Sequence, residues 1–154
     1  MPTMLLIMIL FAVNLSSYGQ KDNVYSEVDV MAEYKDGGVL GMRKFVQKNI
    51  MYPKSALLNN ISAIIYVQFD IDEKGNVTNV QINRNEIRNN EIDEVVVTAS
   101  ISKDKLETTS TSLTSLEDEG IRLIKLLKGF TPAQKDGKNV KSQFTFPINF
   151  HIEG

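Results

Sequence analysis

The chain has 154 residues, a formal charge of −2, four prolines and no cysteine. That length suits one domain with a modest core, and the near-neutral charge excludes an electrostatic case for binding nucleic acid or an anionic membrane surface. With no cysteine there are no disulfides, no thiolate metal sites and no lipid-bearing cysteine, so the fold must hold by packing alone.

Met4 to Val13 is an apolar run of about ten residues, followed by small Ser17 and Gly19 at the right offsets for cleavage before Gln20. The run is too short for a membrane span, which needs about 20 apolar residues. No Lys or Arg precedes it, a departure from the usual signal pattern. Residues 1–19 are therefore expected to be a signal peptide, leaving a periplasmic chain with no membrane anchor. Residues 20–36 are polar with isolated apolar positions and form a lead-in to a domain spanning 37–154.

Gly37-Gly38 signals a turn. Leu40, Met42, Phe45, Val46 and Ile50 then follow helical spacing, and Tyr52-Pro53 stops the helix because proline disfavours helix at the residue before it. One further helical turn fits Lys54 to Asn60. From Ile65 the period becomes two, with Ile65, Val67, Phe69 and Ile71 on one face and Tyr66, Gln68, Asp70 and Asp72 on the other. Glu73-Lys74-Gly75-Asn76 is a hairpin turn, and the parity change between Val77 and Val80 predicts a bulge in the next strand.

Asn85 to Ser115 reads as an insert, with Thr108 to Ser115 a flexible Ser/Thr-rich tether. Ser115 is the expected cap of a second helix, with Asp118 and Glu119 in its first turn and Gly129 at its end. Lys135-Asp136-Gly137-Lys138 is a turn. The last strand alternates cleanly, with Val140, Ser142, Phe144, Phe146, Ile148, Phe150 and Ile152 on one face. The expected fold class is α+β: two helices on one face of a three-stranded antiparallel sheet, in the order α-β-β-α-β.

The Gly37-Gly38 helix start, Tyr52-Pro53, the hairpin from Phe69 to Val80, Phe130-Thr131-Pro132 and a terminal strand containing Pro147 occur here in one order. That ordered set resembles the C-terminal domain family of TonB, the periplasmic module of the Bacteroidetes-type energy transducer. The resemblance implies recognition by β-augmentation, in which a receptor's TonB box adds as a strand beside the last strand. The implied partner-binding residues are Val140, Lys141, Ser142, Gln143, Phe144, Thr145, Phe146, Pro147, Asn149 and His151. Implied partners are an outer-membrane TonB-dependent receptor or another TonB-system protein, or a second copy in a homodimer. A full transducer also has an inner-membrane helix and a proline-rich span, neither of which is read here, so the chain is not expected to couple the inner-membrane gradient by itself.

Pro147 lacks an N–H and suits an open edge, where it either shapes a binding strand or discourages edge-to-edge aggregation. Within the insert, Glu94, Val95, Val96, Val97 and Thr98 resemble a receptor's TonB box, and three β-branched residues in a row favour extended structure. Docking of this run on the chain's own last strand, docking on a second copy, an ordinary added strand, and a mobile insert that presents the run to another TonB all remain open. About 31 residues of insert would span roughly 100 Å if extended, so reach is not expected to limit docking. The alternative function is a structural or assembly domain that uses the same edge for self-association. Catalytic readings are weak, because His151 is the single histidine and has no nucleophile in sequence reach. Asp70-Ile71-Asp72 lacks the remaining ligands of a calcium loop. No cofactor, metal or enzymatic activity is expected.

Overall fold

The structure, a computed structural model, describes residues 24, 27–88 and 103–152. The expected signal peptide and the box-like run Glu94–Thr98 lie outside the described residues. Ten elements follow in chain order: β1 (Glu33–Tyr34), α1 (Gly38–Asn49), α2 (Lys54–Leu58), β2 (Ser62–Ile71), β3 (Val77–Arg88), α3 (Lys103–Leu126), β4 (Phe130–Thr131), β5 (Ala133–Lys135), β6 (Lys138–Val140) and β7 (Ser142–Phe150).

The predicted α+β fold is present. Its centre is β2, which pairs antiparallel with β3 on one side and β7 on the other. Period-two patterning explains that role: Ala63, Ile65, Val67, Phe69 and Ile71 all lie fully buried on the helix-covered face. Gly120 of α3 passes so close that a Cβ there would sit 3.2 Å from Val67, which lets the helix settle onto the strand. Leu116, Leu123 and Ile124 of α3 and Met42 and Val46 of α1 complete the core.

The hairpin between β2 and β3 is held by Asp72, whose carboxylate accepts hydrogen bonds from the Lys74 and Asn76 N–H groups and from the Asn76 amide. At Gly75, φ is 82° and an added Cβ would meet the Phe130 carbonyl oxygen at 2.1 Å, so the turn admits only glycine. The predicted bulge is found. Asp70 pairs with Thr78 and Gln68 with Gln81, so Phe69 faces two residues, one of them Asn79 with φ 48°. A second register shift at Asn83 lies between the pairs Tyr66–Arg84 and Val67–Ile82.

Four boundaries differ from expectation. The second long helix begins at Lys103 rather than at Ser115, so Asp118 and Glu119 sit mid-helix and not in a first turn. The Thr108–Ser115 stretch is helical, and its small hydroxyl side chains do two jobs there. Thr108, Thr111, Thr114 and Ser115 donate to the carbonyl four residues back, while Ser112 donates to the Ser55 carbonyl and accepts from Asn59, drawing α2 against α3. With β3 running to Arg88 as well, the expected 85–115 insert reduces to residues 89–102.

The lead-in is partly built into the domain: Ala32 and Tyr34 are buried, β1 pairs with β4, and the Tyr34 ring lies 5.2 Å from that of Phe130. Burial, with a smaller contribution from Asp36, pushes the Tyr34 phenol up. The last strand starts at Ser142, because Val140 belongs to β6, where it pairs with Ala133.

Candidate functional site: an open sheet edge beside helix α1

Because the sheet order is β3-β2-β7, the outer flank of β7 has no strand partner among the described residues. Pairing with β2 runs from Ala63–Phe150 to Ile71–Ser142 without a register shift. Pro147, opposite Tyr66, has no N–H to give, while the Ile152 N–H is directed inward to the Ser62 hydroxyl at 3.2 Å. By the alternation of an antiparallel ladder, even-numbered amides face β2, and those of Gln143, Thr145, Asn149 and His151 face outward with a gap at Pro147. Side chains alternate as expected: Ser142, Phe146, Ile148 and Phe150 are buried, and Gln143, Thr145, Pro147 and Asn149 are exposed.

Two residues assigned to the edge from sequence are not on it. Val140 lies in β6, and Lys141, which is buried, links the two strands. His151 follows β7 directly and is exposed. At the start of β7, Phe144 stacks on Phe69 at 5.8 Å, and Gln143 donates to buried Asp70.

A cleft of about 680 Å³ runs along this flank, with α1 as its far wall. Six successive residues, Phe146 to His151, line it from both faces of the strand, as only the flank of a strand allows. Arg43, Val46 and Gln47 come from α1 and Ile50 from its C-terminal cap, and Arg88 reaches in from the end of β3. Among the described residues no carboxylate lines the cleft, and neither arginine belongs to an ion pair. The lining is therefore largely apolar, with two cationic side chains.

Two anchors fix the wall. The Tyr52 hydroxyl donates to the Ile61 carbonyl at 2.7 Å, and its ring meets Phe150 edge-on at 5.9 Å. Burial raises the Tyr52 phenol, partly offset by a hydrogen bond with Ser62. The second anchor joins α3 to the end of α1. Arg122 pairs with buried Glu119 at 2.7 Å and also donates to the Asn49 carbonyl, while Glu119 accepts from the Met51 N–H. Hydrogen bonding to Glu119 raises the Arg122 guanidinium against the opposing effect of burial.

Arg43, Ile50, Tyr52 and Arg88 were not site residues on sequence grounds. A signal exists only for α1, where Arg43, Val46, Gln47 and Ile50 share one face by helical spacing. Nothing in the sequence brings Arg88 to them. No group of three or more potential metal ligands occurs among the described residues, and no helix there is long and apolar enough to cross a membrane.

The fold and the cleft define an α+β domain with an open, apolar-flanked sheet edge. No protein-family model matches the chain, and no curated protein matches it. Its structure is similar to the solution structure of the Helicobacter pylori TonB C-terminal domain. The match covers 73% of this chain and 78% of that one, with 14% identity and a TM-score of 0.39.

Proposed function

We propose that this chain is a periplasmic protein-binding module of a TonB-dependent transport system. In this reading it pairs an extended segment with the open flank of β7 by β-augmentation. The segment is the TonB box of an outer-membrane receptor or the chain's own Glu94–Thr98 run. The observation that supports the reading best is the cleft lined by five successive residues of β7, and by His151 after it, on a flank with no strand partner among the described residues. The sequence resemblance supplies the transport system and the periplasmic location, and the apolar run at Met4 to Val13 supplies the route of export. The chain works without catalysis or a cofactor.

Affinity is modest on this reading, because each backbone hydrogen bond contributes a net ~0.5–1.5 kcal/mol and an extended peptide loses conformational entropy on docking. The test is a titration of a receptor-type box peptide into the chain, followed by backbone amide shifts. Shifts concentrated on Gln143 to His151 are expected. Unmoved amides there at millimolar peptide, with the outward amides of Gln143, Thr145 and Asn149 exchanging freely with solvent, would sink the reading.

A further inference from the structure

We infer that the α1–β7 cleft takes the Glu91–Thr98 segment of a second copy of this chain, so that two protomers each lend a strand to the other's edge. This rests on the strand-pairing reading of β7. Charge and chain length carry it.

Among the described residues the cleft presents Arg43 and Arg88 and no carboxylate. The segment carries Glu91, Asp93 and Glu94 immediately ahead of Val95-Val96-Val97. Laid antiparallel to β7, it sets its acidic end near Arg88 and His151 and its valines along Ile148 and Phe146. Carboxylates then meet guanidiniums, and β-branched side chains meet an apolar wall.

Length decides which copy supplies the strand. Only residues 89–102 separate Arg88 from Lys103. Asn85 donates to Glu117, so α3 passes β3 at that point. Gly120 lies over Ile65 and Val67, so the helix start points past the Arg88 end of the sheet. At 1.5 Å per residue, Lys103 stands roughly 21 Å along the helix from Glu117. Arg88 lies roughly 10 Å beyond Asn85.

To lie beside its own β7, the chain must cross three strand spacings, about 14 Å, and run back about 15 Å along the edge. The return to Lys103 is then roughly 30 Å by the same spacings. Residues 99–102 reach roughly 17 Å. Running parallel to β7 meets the shortage on the way in, because residues 89–93 reach only roughly 20 Å. The expectation that reach imposes no limit fails once α3 takes up the tether. A second copy carries no such restraint.

The experiment measures mass against concentration by analytical ultracentrifugation of the full exported chain, with amide spectra of the same samples. A concentration-dependent dimer is expected. Val96→Lys should weaken it at least tenfold, as should the double change Arg43→Glu with Arg88→Glu. Adding Asp93→Arg and Glu94→Arg to that double variant should restore the dimer.

A chain that stays monomeric at millimolar concentration overturns the inference, as does a dimer indifferent to Val96→Lys. A monomer whose outward amides at Gln143, Thr145 and Asn149 are already protected, and become free in Val96→Lys, overturns it in favour of the chain's own segment. A synthetic peptide of residues 91–99 separates the two readings. Shifts along Gln143 to His151 in a monomeric chain leave the edge reading standing and remove the second copy. A monomer with no shifts and freely exchanging outward amides at Gln143, Thr145 and Asn149 removes both.

Discussion

The two edges of the central sheet are built to opposite rules. On one side β3 is twelve residues long and twice bulged. Its outward side chains are tied down: Asn79 donates to Asp70, Asn83 donates to Gln68, and Arg84 lies 4.1 Å over the Tyr66 ring while pairing with Glu86. Bulges twist a strand and interrupt its free amides, and charges oppose a newcomer, so this flank resists pairing. On the other side β7 holds one register over nine residues and exposes mostly small polar side chains. A helix stands off from it instead of covering it. An edge is thus closed by irregularity and left open by regularity, and polarity alone does not tell the two apart.

The largest test of that contrast is truncation of one apolar side chain on each side. Phe150→Ala, at a residue 1% exposed, should cost about 3–5 kcal/mol in urea denaturation. Ile82→Ala on half-buried β3 should cost less than half as much, and equal costs would break the asymmetry. Next comes the anchor behind the cleft wall. Glu119→Ala strips Arg122 and the Met51 N–H of their acceptor and should cost about 1–3 kcal/mol, with peptide affinity falling as α1 loosens. Retained affinity would mean the wall is not part of the site.

Thr145→Pro probes the edge itself. It removes one outward amide, so peptide binding should weaken by up to about tenfold while stability shifts by only about 0.5 kcal/mol. A large loss of stability would show that this amide faces β2. The smallest effect is at the hairpin tip. Burial opposes ionisation of Asp72, but hydrogen bonds from Asn76 and Lys74, with the Lys74 charge, outweigh it and hold the carboxyl below its usual range. Its contribution is therefore complete above the unfolded-state value near ~3.9 and is lost as pH falls through the lower folded value. Asp72→Asn should flatten that acid limb in a pH series of melting curves, and an unchanged limb would reject the assignment.

The strands were legible in the sequence because period two survives whatever packs against it. Ile65 to Ile71 and Ser142 to Phe150 needed only alternation, and Tyr52-Pro53 marked the close of α1 for a reason local to proline. The first half of α3 was not legible. A run rich in Ser and Thr has weak helix preference, and it is helical here through contacts with Ser55 and Asn59 that come from elsewhere in the chain. Tyr34 was hidden in a polar stretch for the same kind of reason, since its partner Phe130 is far along the sequence. The cleft was half legible: alternation and Pro147 exposed the edge, but Arg43, Tyr52 and Arg88 meet it only in the folded molecule.

The pairing of β2 with β7 joins Ala63 to Phe150, across much of the chain. A polypeptide is made from its amino end at roughly 5–20 residues per second, so β2 and β3 exist for several seconds before β7 does. During that interval the flank of β2 destined for β7 is itself unpaired, and Val95 to Val97 emerge ahead of the proper partner. The place beside β2 therefore stays open until the last strand of the sheet has been made.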